Sequence, residues 1–570
     1  MLIRSLVGGN AMTEFNSKTR FAELQTMEAK ELDVLVIGGG ITGAGIALDA
    51  QTRGLQTGLL EMRDFASGTS SRSTKLVHGG LRYLKQLAFH EVAEVGSERA
   101  IVYENAPHVT TPVKMMLPFY NGGTLGKFTT AIALDIYDRL AKVKKSERKF
   151  MLDRAESLAR EPYLKAEGLK GTGVYVEYRT DDARLVMEVV KEAHAQGALL
   201  ANYAKVMDLI YNEHGKVSGV KYQDQITGTN GTIYAKRIIN AAGPWVDDIR
   251  QMDGSNKGKH LHLTKGVHLV VDNAKFPVKN AIFFDTPFND KRMMFVIPRE
   301  GKTYFGTTDT SWNEDPREPS ITSKDVHYIL SAVNQMFAIK PLHFDDVESA
   351  WSGVRPLIQE EGKSPSEISR KDEIFHSDSG LYSIAGGKLT GYRKMAEKIV
   401  NEVAKDFATE YGDYHYVETQ TVHLPLSGAD ASGSAGFKEF FDAAVTRGTE
   451  HGLSKMAAES LVHRYGRNVD AVYSYLEQAQ TSETHLSALD YAQLHYGLEE
   501  EMVLHPIDYL LRRSSQMLFN FKHLEKVYEP IITEMAQYFD WSNETTARLR
   551  DEVQTQIAIR QAFKQETVHA

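Results

Sequence analysis

The chain has 570 residues, 42% hydrophobic and 25% charged, with 44 glycines and 16 prolines; that is the make-up of a globular protein of about three domains at roughly 100–200 residues each. It contains no cysteine, which excludes structural disulfides, cysteine-bound zinc or iron–sulfur clusters, thiolate nucleophiles and redox dithiols, so any redox chemistry needs a bound organic cofactor. A net charge of −9 argues against nucleic acid as a partner, because its binders usually carry a basic face.

Residues 1–30 have an apolar stretch too short for a secretory signal and are expected to form a poorly ordered extension with a helical turn around FAELQTMEAKE. DVLVIGGG (33–40) is an apolar run ending in glycines, the pattern of a fully buried parallel strand. The helix ITGAGIALDAQTRG and the strand TGLLE (57–61) follow, making one βαβ unit. Residues 80–110 read as one or two helices stopped by Pro107, and 183–197 as another helix. The turns NEHGK and TGTNG divide a meander that ends in AKRIINAAG. VHLVVDN, AIFFDTP, MMFVIPRE and KTYFGTTD form a second β-rich block. Beyond about 405 the strand pattern fades, and apart from a linker-like PLSGADASGSAG (425–436) the remainder reads as helices. No run of 18 or more apolar residues occurs, so no membrane-spanning helix is expected.

Gly38, Gly40 and Gly43 fit the G-x-G-x-x-G spacing. The first makes the tight turn, the second lets backbone approach a pyrophosphate, and the third lets helix pack on strand. The pyrophosphate would sit on the helix N-terminus beside Thr42. Glu61 ends the next strand, where an acidic side chain accepts ribose hydroxyls. Two further glycine turns, Ala242-Gly243 (followed by Trp245) and IAGGKLTGYRK around Gly387, Lys388, Leu389 and Thr390, allow backbone to pass close to a ligand. Three such turns converging on one extended ligand suit FAD better than NAD.

With these segments assembled, the chain resembles the FAD-dependent, respiratory, quinone-linked glycerol-3-phosphate dehydrogenases. The most specific stretch is GTSSRSTKLVHGGLRYL (68–84); NAAGPW, TKGVHLVV, GTTD, WSGVRPL and AGGKLTGYRK follow in the family's order, and HPIDYLLRR is similar to its cap helix with paired arginines. The resemblance implies an α/β fold: a glutathione-reductase-type, doubly wound FAD-binding domain (31–110, 180–260 and 350–405) interleaved with a β-rich substrate domain (111–179 and 261–349), plus an all-helical C-terminal cap domain (425–570). It implies cofactor contacts from Thr69, Ser70, Ser71, Lys75, His78 and Gly79 in addition to the glycine turns. It also implies oxidation of sn-glycerol 3-phosphate to dihydroxyacetone phosphate by hydride transfer from C2 to flavin N5.

A phosphate dianion calls for arginine forks, and Arg82, Arg355 and Arg370 lie in loop- or glycine-rich settings. Tyr83 and Thr307 are expected beside them as substrate contacts. Removing the C2 hydroxyl proton needs a base near neutral pKa. His268 matches the family's active-site histidine and is the expected base, with Arg355 and Lys388 stabilising the developing alkoxide. A membrane quinone is the expected acceptor, and a cytoplasmic chain bound peripherally to the inner face of the membrane the expected setting. The stretch 131–149, apolar at helical spacing with a basic end at Lys142, Lys144 and Lys145, has the composition of an interfacial helix. A homodimer is the candidate assembly. His260 and His262 form H-x-H without partner ligands, so no metal is expected. The rival readings are an oxygen-using glycerol-3-phosphate oxidase, an amino-acid or amine oxidase of the same fold, and a non-enzymatic FAD-binding protein.

Overall fold

A computed structural model describes residues 14–80, 89–121, 134–137, 147–290, 292–360, 372–386, 388–412 and 414–566. Strands β1 (Leu32–Ile37) and β2 (Thr57–Leu60) pair in parallel around helix α2 (Ile41–Thr52), which follows α1 (Arg20–Glu28). The sheet continues from β1 through Asn230–Asn240 to Tyr382–Ala385 and from β2 to Leu199–Ala201, all parallel. Because side chains alternate across a strand, β1 feeds two cores. Val34 and Val36 pack under α2 and the helices Asp182–Ala195 and Tyr392–Glu410, while Leu35 and Ile37 pack under the meander Ala204–Tyr211, Val217–Asp224 and Asn230–Asn240. That double burial is why the sequence shows a continuous apolar run instead of alternation.

The second sheet is mixed. Its order is Thr310–Ser311, Lys259–Asp272, Lys302–Gly306, Met293–Arg299, Ala281–Asp285, Thr110–Tyr120, Leu169–Thr180 and Leu76–Val77. Val347–Glu360 pairs antiparallel with Lys259–Asp272 along its length. The expected domain division at residue 350 therefore falls inside a substrate-domain strand: ladder hydrogen bonds carry the chain through the glycine of WSGVRPL before it returns to the first sheet. Helix α3 (Phe89–Asn105) ends before Pro107, as its missing N–H and ring demand.

Two expectations about the ends of domains are corrected. Residues 20–28 are not loose: α1 buries Leu24 and Met27 against the first sheet, and Arg20 makes a fully buried ion pair with Asp224 at 2.8 Å. These three residues lie on one face at i, i+4 and i+7 spacing. Residues 1–13 lie outside the described part. The linker also ends early, since a helix already begins at Gly433. The C-terminal helices form one core of their own and contribute Leu510, Leu518 and Phe519 to a core shared with Tyr304 and Trp351 of the second sheet. Among the described residues, no helix is long and apolar enough to cross a membrane.

Candidate active site

A cleft of about 970 Å3 runs between the two sheets, at the upper end of the roughly 300–1,000 Å3 usual for small-molecule sites. Its dinucleotide side is built by β1, α2 and β2. Gly38 turns with φ +113°, and a Cβ there would stand 2.6 Å from the Ala241 carbonyl oxygen, so only glycine lets the first and second glycine turns touch. A Cβ on Gly43 would overlap the Gly38 carbonyl, which makes Gly43 a packing position below the cleft. The N-terminus of α2 opens into the cleft through Gly40 and Thr42, and Ser70 Oγ accepts the Ile41 N–H at 3.0 Å.

Glu61 is buried, and desolvation pushes its carboxyl above the usual carboxylate range. Its two oxygens accept the N–H groups of Gly39 at 2.7 Å and Arg63 at 2.9 Å. A carboxylate has about four lone-pair sites, so capacity remains toward the cleft for hydroxyl donors. Arg63 lies over Trp245 with its guanidinium 5.5 Å from the ring, both lining the cleft, and its Nε and Nη2 are buried without hydrogen-bond partners. A cleft of this size with a helix N-terminus opening into it, a buried acceptor and unfilled guanidinium donors fits an FAD.

The other side is carried by two strands. His268 lies in Lys259–Asp272 opposite Trp351, and their rings stack at 4.8 Å and 9°. Its Nε2 is 3.0 Å from Thr74 Oγ1, while Nδ1 is buried without a partner. Burial holds the imidazole well below its ordinary pKa, reinforced by the cations Arg355 and Lys75. The depressed pKa favours the neutral imidazole. Arg355 reaches Thr307 Oγ1 and Asp309 Oδ1, each at 3.3 Å. A Cβ on Gly266 would overlap Thr307 Oγ1 and stand 2.5 Å from Arg355 Nη2, so this glycine makes the room in which both side chains lie. Thr390 Oγ1 accepts the His78 N–H at 3.0 Å and donates to the His78 carbonyl at 3.1 Å, tying the His78 segment to the third glycine turn.

One cleft thus gathers Gly38, Gly40, Thr42, Glu61, Thr69, Ser70, His78, Ala242, Gly243, Trp245, His268, Thr307, Arg355, Lys388, Leu389 and Thr390. Ser71, Lys75 and Gly79, expected at the cofactor, are placed elsewhere. Lys75 is 1% exposed and its ammonium bonds Asp182 at 2.5 Å and the Ser71 carbonyl at 3.0 Å, a structural ion pair beneath the cleft floor. Gly79 is packed against the Tyr137 ring and donates its N–H to the Tyr137 hydroxyl at 3.1 Å. Arg82, Tyr83, Arg370 and Gly387 lie outside the described residues, as does most of 131–149, including Lys142, Lys144 and Lys145. Arg63, Thr74 and Gly266 escaped the sequence reading. Arg63 stands two residues beyond the ribose carboxylate, which was the available clue; nothing in the string marks Thr74.

The parallel sheet with its glycine turns, sharing one cleft with a second, mixed sheet, defines a two-domain dinucleotide-binding oxidoreductase of the flavin type. The family model described as FAD dependent oxidoreductase matches residues 33–395, and that of the C-terminal domain of alpha-glycerophosphate oxidase matches 419–546. An aerobic glycerol-3-phosphate dehydrogenase of Staphylococcus haemolyticus is 51% identical over 95% of this chain and 96% of its own. One of Bacillus subtilis is 51% identical over 93% and 95%. The crystal structure of a glycerol-3-phosphate dehydrogenase from Bacillus halodurans, complexed with FAD, superposes with a TM-score of 0.82 at 47% identity, over 96% of this chain and 98% of that one. The chain belongs to the FAD-dependent aerobic glycerol-3-phosphate dehydrogenase family.

Proposed function

We propose that the chain oxidises sn-glycerol 3-phosphate to dihydroxyacetone phosphate and delivers the electrons to a quinone at the inner face of the cell membrane, where it docks peripherally. The observation that carries the reading is one cleft lined by the dinucleotide turns, by a buried His268 close to the Arg355 cation, and by Lys388. FAD, when bound, accepts the two electrons that leave C2.

The rest falls to the chain. The Arg355 fork, tethered by Thr307 and Asp309, binds the phosphate bidentately, with Lys388 as a second cation. His268, neutral and stacked on Trp351, takes the proton of the C2 hydroxyl. A phosphate dianion held by Arg355 offsets one of the two charges that lower its pKa, while burial, the larger cause, stays. Burial of the ring keeps water from competing for that proton. With no cysteine in the chain, no dithiol relay stands between the cofactor and the external acceptor.

Anaerobic mixing of the purified holoprotein with glycerol 3-phosphate tests this reading: the flavin absorbance bleaches, and a soluble quinone restores it faster than oxygen does. An unbleached spectrum refutes the substrate assignment. Bleaching followed by preferential reoxidation with oxygen refutes the acceptor assignment alone.

A further inference from the structure

One group of buried charges that the chemistry leaves unused lies where the C-terminal helices meet the loop after β2. Asp64, three residues beyond Glu61, is 0% exposed and does not line the cleft. Its Oδ2 accepts Arg512 Nε at 2.5 Å and Arg513 Nη1 at 2.9 Å; its Oδ1 accepts Arg513 Nη2 at 2.9 Å and Asn202 Nδ2 at 3.2 Å. Arg512 also donates to Asp508 at 2.6 Å, and Asp508 accepts the Tyr203 hydroxyl at 2.6 Å. Two carboxylates and two guanidiniums are thus buried together across a domain boundary, with Arg513 bidentate on Asp64 and also 3.7 Å from Glu501.

The loop that Asp64 anchors is the one presenting Glu61 and Arg63 to the cleft. Its backbone is tied on both sides: Ala66 N–H to the Gly39 carbonyl at 3.0 Å, Tyr203 N–H to the Arg63 carbonyl at 2.7 Å, and Ala204 N–H to the Glu61 carbonyl at 2.7 Å. Ala66, Tyr203 and Met502 hold φ of 61°, 53° and 52°. Non-glycine residues persist in that region only where the surroundings over-determine them, and here the three flank the same ion cluster.

We infer that the C-terminal domain is part of the cofactor site: through Asp64, Arg512 and Arg513 act as positioning residues that set the Glu61–Ser67 loop for FAD binding. Asp64 has no contact with the cleft, so its influence runs through the loop backbone to the Glu61 carboxylate and the Arg63 guanidinium. The π-helical turn Asp508–Arg513 serves this end, because its wider winding directs two successive arginines at one carboxylate. The inference rests on the cofactor and not on the substrate assignment.

Diluting the holoprotein and following free-flavin fluorescence gives the FAD dissociation constant directly. Asp64→Asn and Arg513→Met each raise it at least tenfold, while kcat and KM for glycerol 3-phosphate at saturating FAD stay within twofold. The reference variant is Arg184→Met, which removes a buried ion pair between the helix Asp182–Ala195 and Glu501 of the C-terminal segment, a residue also 3.7 Å from Arg513, and leaves every Asp64 hydrogen bond in place; it changes FAD affinity less than threefold. If Asp64→Asn does not accumulate folded, Arg512→Lys keeps the charge, loses the fork and still weakens FAD threefold or more. The inference is overturned if Arg184→Met releases FAD as readily as Asp64→Asn, since loosened docking would then be the whole effect. It is equally overturned if the Asp64 and arginine variants leave FAD affinity within threefold of the parent.

Discussion

Gly266→Ala separates damage to the site from damage to the fold. The new Cβ would stand 2.5 Å from Arg355 Nη2 and overlap Thr307 Oγ1, whereas non-bonded heavy atoms settle at about 3.5 Å. Something must move by about 1 Å. The obstructing atoms are side-chain ends, and Arg355 is a third exposed, so the strand itself can stay in place and the loss of stability is under about 1 kcal/mol. The guanidinium and hydroxyl proposed to hold the phosphate cannot stay. A misplacement of about 1 Å costs on the order of a hundredfold in rate, equivalent to about 2.7 kcal/mol of transition-state stabilisation. Stopped-flow bleaching of the flavin against glycerol 3-phosphate concentration gives the second-order constant, and denaturant unfolding of the same sample gives the stability. A second-order constant within threefold of the parent would show that Gly266 is not what makes room for the phosphate clamp. A loss of several kcal/mol in stability with no kinetic change would assign the glycine to packing.

The remaining expectations concern the base and its surroundings. His268→Ala slows flavin reduction by about 10²–10⁴-fold, the usual worth of a general base; a loss below tenfold contradicts the assignment. Because burial and the Arg355 and Lys75 charges depress the His268 pKa, kcat/KM holds through pH 6.5 and its acid limb falls lower, so a limb centred at 7 or above in the pH profile contradicts the electrostatics. The same depression has a sign in stability. The unfolded chain binds the proton first, so His268 favours the fold above about pH 6.5 and its contribution is lost as pH falls toward the folded pKa; unfolding curves of His268→Ala are correspondingly less acid-sensitive. Lys75→Met strands a buried Asp182 and destabilises the fold by about 3–5 kcal/mol, seen as a lower denaturant midpoint, while a fully stable variant would mean that the pair contributes nothing.

What could be read from the string depended on how local the cause was. The βαβ unit announced itself because tight turn, phosphate approach and helix packing each demand glycine within a few residues of one strand. Lys75 misled because a motif records that a position matters without saying why; its pairing with Asp182 depends on a residue 107 positions away. Val347–Glu360 was divided wrongly for a similar reason, since its partner strand begins near residue 259 and no local pattern reports which sheet a strand joins. The helix Arg20–Glu28 was underestimated because its apolar face is only Leu24 and Met27, too little to signal itself; the sheet it covers supplies the missing half. Arg63 and Thr74 became visible only when the cleft walls came together.

His268 and Arg355 sit on neighbouring strands, with Thr264 opposite Arg355 and Trp351 opposite His268. The proposed base and the proposed phosphate anchor are thus four residues apart along one ribbon, about 13 Å of strand at roughly 3.3 Å per residue, and the arginine side chain covers about half of it, its Nη2 lying against Gly266. On the proposed assignment the ladder works as a ruler between a phosphate and the carbon to be oxidised. On that assignment a phosphorylated alcohol one carbon longer would suit the cleft chemically and miss it metrically. Widening the choice of substrate would then require moving a strand by its two-residue repeat, a far larger step for evolution or engineering than exchanging a side chain.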